Sequence, residues 1–254
     1  MSGLFSIEYA VVCHKGFVRD KNQDNFWCGG IFLECENYGL LNVFTGIVDS
    51  LSRPAFAVFD GLGGEASGEF AAWLAARTFD DAIEYRFEKE EAVFLKDVFG
   101  QMNNSISDYA ASQNIINMGA TGAAVIFGED NVAVCNLGDS RIYLHRSGHL
   151  ARLSEDHVAS DAQAGKPCLT QYLGIPENEF CIEPFLARYD LQDGDRFLLC
   201  SDGLTDMLPE EDVGSGLSRE GAVHVVEELL EGALERGGKD NITIIVCTVN
   251  KNRL

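Results

Sequence analysis

The chain has 254 residues, 46% of them hydrophobic, which is enough to bury a sizeable core within one domain. Against 19 Lys and Arg stand 40 Asp and Glu, and the resulting formal charge of −21 argues against nucleic acid and other polyanionic partners. No apolar run approaches the ~20 residues that span a bilayer, and the opening Met-Ser-Gly-Leu-Phe-Ser has neither a basic nor a long apolar region, so no membrane association and a cytoplasmic location are expected.

From the N-terminus, the first apolar alternating run covers 7–13 and predicts a strand. A charged stretch, Arg19-Asp20-Lys21-Asn22-Gln23-Asp24, follows, and then a long irregular connection over 29–54. A strand at 55–59 runs straight into Asp60-Gly61-Leu62-Gly63-Gly64. Helical spacing covers 66–87, with Phe70, Trp73, Leu74, Ala76 and Phe79 read as a core face, and continues over 92–113. Strands are predicted at 123–127, 132–137 and 141–145. A second irregular connection, 155–184, precedes a strand at 196–200. A helix over 221–236 sets Val225, Val226, Leu229, Leu230 and Leu234 against Glu227, Glu228 and Glu231, and a last strand covers 242–249. Helices between groups of strands, without regular β-α alternation, indicate an α+β layered fold with mainly antiparallel sheets.

Eight cysteines (Cys13, Cys28, Cys35, Cys135, Cys168, Cys181, Cys200, Cys247) are scattered without a CxxC pair, four of them in apolar runs, and read as buried free thiols of a reducing compartment. The five histidines (His14, His145, His149, His157, His224) lack zinc-site spacing. The aspartates are more informative. Asp60 ends a buried run and precedes glycine, which by itself is an ordinary turn. The construction recurs at Ser201-Asp202-Gly203, in variant form at Gly138-Asp139-Ser140-Arg141, and again at Lys239-Asp240-Asn241 before the last strand. Four strand-edge carboxylates converging on one rim would repel one another unless cations neutralise them, and hard oxygen ligands suit Mg²⁺ or Mn²⁺. Arg19 has the fork geometry to hold two phosphoryl oxygens.

In their order, Arg19-x-x-Asn22-Gln23-Asp24, Phe59-Asp60-Gly61-x-Gly63-Gly64, Gly119-Ala120-Thr121, Gly138-Asp139-Ser140-Arg141, Ser201-Asp202-Gly203-Leu204-Thr205-Asp206 and Asp240-Asn241-Ile242-Thr243 resemble the motifs of the metal-dependent PP2C-type (PPM) serine/threonine phosphatases, in a compact bacterial form. The resemblance runs from about Tyr9 to Val249 and implies a single catalytic domain over 1–254. It implies a four-layer αββα sandwich of two mainly antiparallel sheets flanked by helices. It also implies two Mn²⁺ or Mg²⁺ ions and hydrolysis of phosphoserine and phosphothreonine in proteins by metal-activated water, opposing a bacterial serine/threonine kinase and its targets. By the same resemblance Asp60 bridges both ions, Asp202 and Asp240 complete one site, the Gly61 carbonyl serves the other, Asp24 acts through water, and Asp139 joins Asp202 around a weaker third ion. Arg19 would orient the phosphoryl group. Asn241 and Thr121 are expected to support the site, and Arg141 is either an ion-pair partner or a ligand.

Three departures from the family pattern stand out. Leu62 replaces a histidine that many eukaryotic relatives place after the central Asp-Gly, so the leaving-group acid is unassigned. Gln23 replaces a metal-associated glutamate. The flap region, about 156–184, reads as shortened. A rival reading from another class, a pseudophosphatase that binds phosphoproteins without turnover, has Leu62 and the short flap in its favour and the retained Asp60, Asp202 and Asp240 against it.

Overall fold

The longest strands carry apolar side chains on both faces, so each sheet must be covered twice. In the computed structural model, which describes residues 4–63, 67–159 and 168–252, this requirement is met by four layers. In chain order the elements are β1 (Phe5–His14), β2 (Asp24–Cys28), β3 (Phe44–Asp49), β4 (Ala55–Leu62), α1 (Gly68–Ile83), α2 (Glu91–Gln113), β5 (Gly119–Ala120), β6 (Gly122–Phe127), β7 (Asn131–Leu137), β8 (Arg141–Arg146), β9 (His149–Arg152), β10 (Phe185–Asp190), β11 (Arg196–Cys200), α3 (Asp202–Thr205), α4 (Glu210–Leu217), α5 (Ala222–Glu235) and β12 (Ile242–Lys251). One sheet has the order β3-β1-β12-β11-β8-β9, and the other β10-β7-β6-β4-β2 with β5 beside β4. All pairings are antiparallel.

The period of two along each strand sorts the core. In β1, Ile7, Tyr9, Val11 and Cys13 enter the layer between the sheets, where they meet Phe56 and Val58 of β4 and Phe127 of β6. Ala10 and Val12 point the other way, toward Val225, Val226 and Leu229 of α5. In β4, Ala55, Ala57 and Phe59 face Ala71, Ala72, Ala75 and Phe79 of α1. Alanine on alanine lets that helix lie close to the sheet. Trp73, expected in the core, is instead half-buried on the outer side of α1, beneath the Arg77 guanidinium at 5.2 Å.

The α+β, four-layer expectation therefore holds. The structure corrects one of the two connections read as irregular: the 29–54 stretch contains the edge strand β3. The described residues of 155–184 form no helix or strand, as expected, and the strand that follows them, β10 from Phe185, was not predicted. The described parts of the flap are 156–159 and 168–184; residues 160–167 lie outside the described set. The thiol expectation also needs correction. Five cysteines are buried, but Cys35 is half-buried, and Cys168 and Cys181 are exposed because they lie on the loop before β10 and not in a strand. Among the described residues, no helix is long and apolar enough to cross a membrane.

Candidate active site at the edge of the two sheets

Asp202 lies two residues beyond the end of β11, and Asp240 two residues before the start of β12. Because β11 and β12 are antiparallel neighbours, with Cys200 opposite Ile244, both aspartates fall at the same end of their sheet. Asp60 lies in β4 and Asp139 just beyond β7, in the other sheet. All four line one cleft of about 470 Å³, together with Arg19, Gln23, Gly61, Leu62, Asn117, Leu169, Tyr172 and Asn241. The predicted convergence is present, then, and the structure also gives the reason glycine follows two of these aspartates. A Cβ on Gly203 would stand 1.9 Å from the Asn241 carbonyl oxygen, and one on Gly61 would stand 2.0 Å from that of Gly68. Only glycine lets the backbone next to each aspartate approach its neighbour so closely.

Asp24 is placed differently. It pairs with Asp60 across β2 and β4 and is buried beneath the cleft, not among its lining residues. Its Oδ2 accepts hydrogen bonds of 2.7 Å from both Ser201 and Thr243 hydroxyls, while Oδ1 is buried with no hydrogen-bond partner among the described residues. Thr243 has a single hydroxyl proton, and it is committed to Asp24. The 3.2 Å contact between Thr243 Oγ1 and Cys13 Sγ must then run from the thiol to the hydroxyl. Burial keeps that thiol protonated, pushing it up to about 12, and Asn22 donates to its sulfur at 3.2 Å. Asn22, Cys13, Thr243 and Asp24 form a one-way chain that turns one carboxylate oxygen inward and leaves the other available.

The electrostatics match this crowding. Burial raises Asp24 to about 7, the Thr243 and Ser201 bonds opposing it and the charges of Asp202 and Asp240 adding to it. Asp60 is raised well above the ordinary carboxylate range, first by desolvation and then by Asp202, Asp24, Asp139 and Asp240. Arg19 supplies one positive charge. Its Nη2 lies 2.6 Å from Asp240 Oδ2, and that bond raises the guanidinium pKa.

Support residues separate clearly. Asn241 accepts from the Gln23 N–H at 2.8 Å and donates to the Lys15 and Lys21 carbonyls at 2.8 and 2.9 Å, fastening the loop that carries Arg19 beside Asp240. Gln23 donates its side-chain amide to Glu69, which also holds Lys21 at 2.6 Å. Thr121 bonds to Ser140 at 2.6 Å and accepts from the Asp60 N–H at 3.3 Å. Arg141 is an ion-pair partner, its guanidinium fork on Asp156, and it is absent from the cleft lining. His157 Nδ1 is occupied by the Gly138 N–H at 3.2 Å. Sequence reading gave no role to Ser201, Thr243 or Cys13, although the first two lie inside recognised motifs. For Tyr172 and Leu169 no local signal existed.

These side chains fit hard divalent cations by their chemistry. The donors are oxygens, one buried carboxylate oxygen lacks a partner, and the raised carboxylates would be relieved by positive charge. Among the described residues, no group of three or more His, Cys, Asp or Glu side chains stands ready to hold an ion in this arrangement, in which Arg19 is the cation on Asp240.

Residues 44–243 match the family model described as protein phosphatase 2C. The chain belongs to that family. It is 30% identical over 256 residues to the serine/threonine phosphatase stp of Listeria welshimeri serovar 6b, covering 93% of each chain. The serine/threonine protein phosphatase PstP of Mycobacterium tuberculosis is 26% identical; the match covers 96% of this chain and 45% of PstP. The crystal structure of the M. tuberculosis phosphatase PstP/Ppp superposes with a TM-score of 0.80 at 25% identity, over 96% of this chain and 99% of that one. A second structure, the PstP catalytic domain in complex with two manganese ions, gives 0.79 at 26% identity, over 97% and 100%. The chain is thus a protein phosphatase of the 2C family, as its ordered motifs indicated.

Proposed function

We propose that this protein phosphatase hydrolyses phosphoserine and phosphothreonine in proteins at a binuclear Mn²⁺ or Mg²⁺ centre in the cleft, acting opposite a serine/threonine kinase in the cytoplasm. The observation that carries the reading is the convergence of Asp60, Asp139, Asp202 and Asp240, from both sheets, beside Arg19. Asp60, Asp202, Asp240 and the Gly61 carbonyl would hold the two ions, Asp24 would serve through water, and Asp139 with Asp202 would take a third. When bound, such ions lower the pKa of water to supply a nucleophile and neutralise phosphoryl oxygens.

The chain's own groups do the rest. Arg19 exchanges Asp240 for the phosphoryl oxygens, to which its planar fork is matched, and so orients phosphorus in the cleft. Asn241 holds the loop that aims it. The hydrogen bonds from Ser201 and Thr243 fix Asp24, so its free oxygen need not reorganise during the reaction. Leu62 carries no proton for the leaving oxygen. A reducing compartment and one catalytic domain over 1–254 belong to the same reading.

Assay of an aryl phosphate and a phosphothreonine peptide with Mn²⁺, Mg²⁺ or chelator, beside Asp202→Asn, tests this. Turnover is expected only with metal. Asp202→Asn should lose at least the ~10–100-fold typical of disturbing even an outer metal partner. Chelator-resistant turnover, or wild-type rates in Asp202→Asn, would refute the reading.

A further inference from the structure

The long connection over 29–54 lends no residue to the cleft, yet Val48, Ser52 and Arg53 from it line a second pocket, of about 330 Å³. Tyr9 of β1 and Trp27 of β2 also line it, so it lies between the two sheets. Its wall includes Ala55, at the start of β4, whereas the cleft takes Asp60 from the same strand. Five residues of strand at ~3.3 Å each set the two sites roughly 17 Å apart.

The pocket holds a buried polar group that no protein atom satisfies. Tyr9 is 8% exposed, and its hydroxyl makes no hydrogen bond among the described residues. A buried phenolic hydroxyl usually has a partner. Here glycines adjoin it instead: a Cβ on Gly46 would overlap the hydroxyl oxygen, and one on Gly29, itself in the pocket wall, would come within 3.7 Å. Side chains have been cleared from around a hydroxyl that stands at the pocket.

The second observation is a charge. Arg53 is answered by Glu91, which its Nε and Nη2 meet at 2.9 and 2.5 Å. Arg86, also in the wall, donates only to the carbonyls of Ser52, Arg53 and Ile83, and has no carboxylate within ion-pair distance among the described residues. These bonds engage Nε and one N–H on each terminal nitrogen, which leaves two of its five N–H groups uncommitted. Burial and the neighbouring Arg53 both lower its pKa, so a negative charge is what this guanidinium lacks. Asp80, the acid in the wall, is held by the Trp27 indole N–H at 2.8 Å and pairs with neither arginine. With Asp80 and Glu91 nearby, in a chain of charge −21, Arg86 can balance one added negative charge and not two, which favours a carboxylate over a phosphate dianion. Trp27, Val48 and Ile83 make the remaining wall largely carbon, and the volume lies at the lower end of the range for small-molecule sites.

We infer that this pocket binds a small apolar carboxylate, with Arg86 and the Tyr9 hydroxyl as its polar contacts and Trp27, Val48 and Ile83 around its body. The test is calorimetric titration of the protein in chelator with indole-3-acetate, beside tryptophol, which carries the same ring without the charge; in chelator the acidic cleft repels a carboxylate. Saturable binding with Kd below about 1 mM is expected, and tryptophol should bind at least about tenfold more weakly. Arg86→Gln should lose about tenfold or more in affinity, Tyr9→Phe about threefold or more, and Val48→Phe, which fills the pocket, should abolish binding. Because the Tyr9 hydroxyl has no partner to lose, Tyr9→Phe should leave the melting temperature of the ligand-free protein unlowered. Hydrolysis of p-nitrophenyl phosphate with Mn²⁺ should stay at the wild-type rate in Tyr9→Phe and Val48→Phe, which shows the cleft intact. No saturable binding of indole-3-acetate, equal affinity for tryptophol, or wild-type affinity in the variants overturns the site. Tyr9→Phe carries the test if Arg86→Gln does not fold.

Discussion

Asp24 shows how much of a catalytic carboxylate's behaviour is set by groups that never reach the cleft. Its Oδ2 is saturated by Ser201 and Thr243, and Thr243 is in turn oriented by the Cys13 thiol. Thr243→Val keeps the shape and removes the donor, so Asp24 can rotate and its charge loses a bond worth more than a neutral one. Mn²⁺ affinity, read by calorimetric titration, should fall about 10–100-fold, with Thr243→Ser restoring it. Cys13→Ala should give a smaller loss in the same direction. Unchanged affinity in Thr243→Val would mean that Asp24 is held by its burial alone. Asp60, Asp139 and Asp202 were legible in the sequence because each lies next to glycine at the end of an apolar run, and Asp240 because it shortly precedes the last strand, both purely local patterns. The roles of Ser201, Thr243 and Cys13 were not, since each depends on a contact between β1, β2, β11 and β12 that no local pattern encodes.

At the scale of elements, the most consequential join is between α2 and the strap that follows the flap. Asn103 is 2% exposed and satisfies three backbone groups of Gly174 and Ile175. Asn103→Ala would leave those groups buried without partners, at a cost of about 2–4 kcal/mol. Urea unfolding should show this as a lower midpoint, and Tyr172 should lose its fixed position. An unaltered midpoint would imply that the strap finds other partners. Three of the strands that sequence patterning missed, β2, β3 and β10, each have their own physical reason. β2 opens with Asp24 and Asn25, polar residues buried because one serves the cleft and the other clips both backbone groups of Leu33. β3 is interrupted by Gly46, where a Cβ would lie 2.4 Å from the Tyr9 hydroxyl. β10 is an edge strand with half-exposed faces and no clean alternation. Most strands read correctly are buried on both faces, where hydrophobicity alone is sufficient, and β1 and β8, half-buried at one or both ends, keep an unbroken buried apolar centre.

At the scale of the whole molecule, an excess of 21 negative charges has its sharpest expression where the carboxylates cannot avoid one another. Burial lifts Asp24 to about 7 in the folded metal-free protein, against an ordinary 3.8, and Asp60 moves in the same direction. The folded state therefore holds protons that the unfolded chain has already released. Stability from these groups is fully present below about pH 4 and is lost as pH rises toward and through 7, by at most about 1.4 kcal/mol per pH unit for each proton. Divalent cations act in the opposite sense, because they bind the deprotonated carboxylates and displace those protons. The gain in melting temperature from Mn²⁺ over chelator should consequently widen between pH 6 and pH 8, while the chelated protein loses stability over the same window. Differential scanning fluorimetry at fixed ionic strength reads both limbs. A gain in melting temperature that is flat with pH would show that the carboxylates are already ionised in the free protein, in which case repulsion among them is relieved by Arg19 and solvent and not by protons.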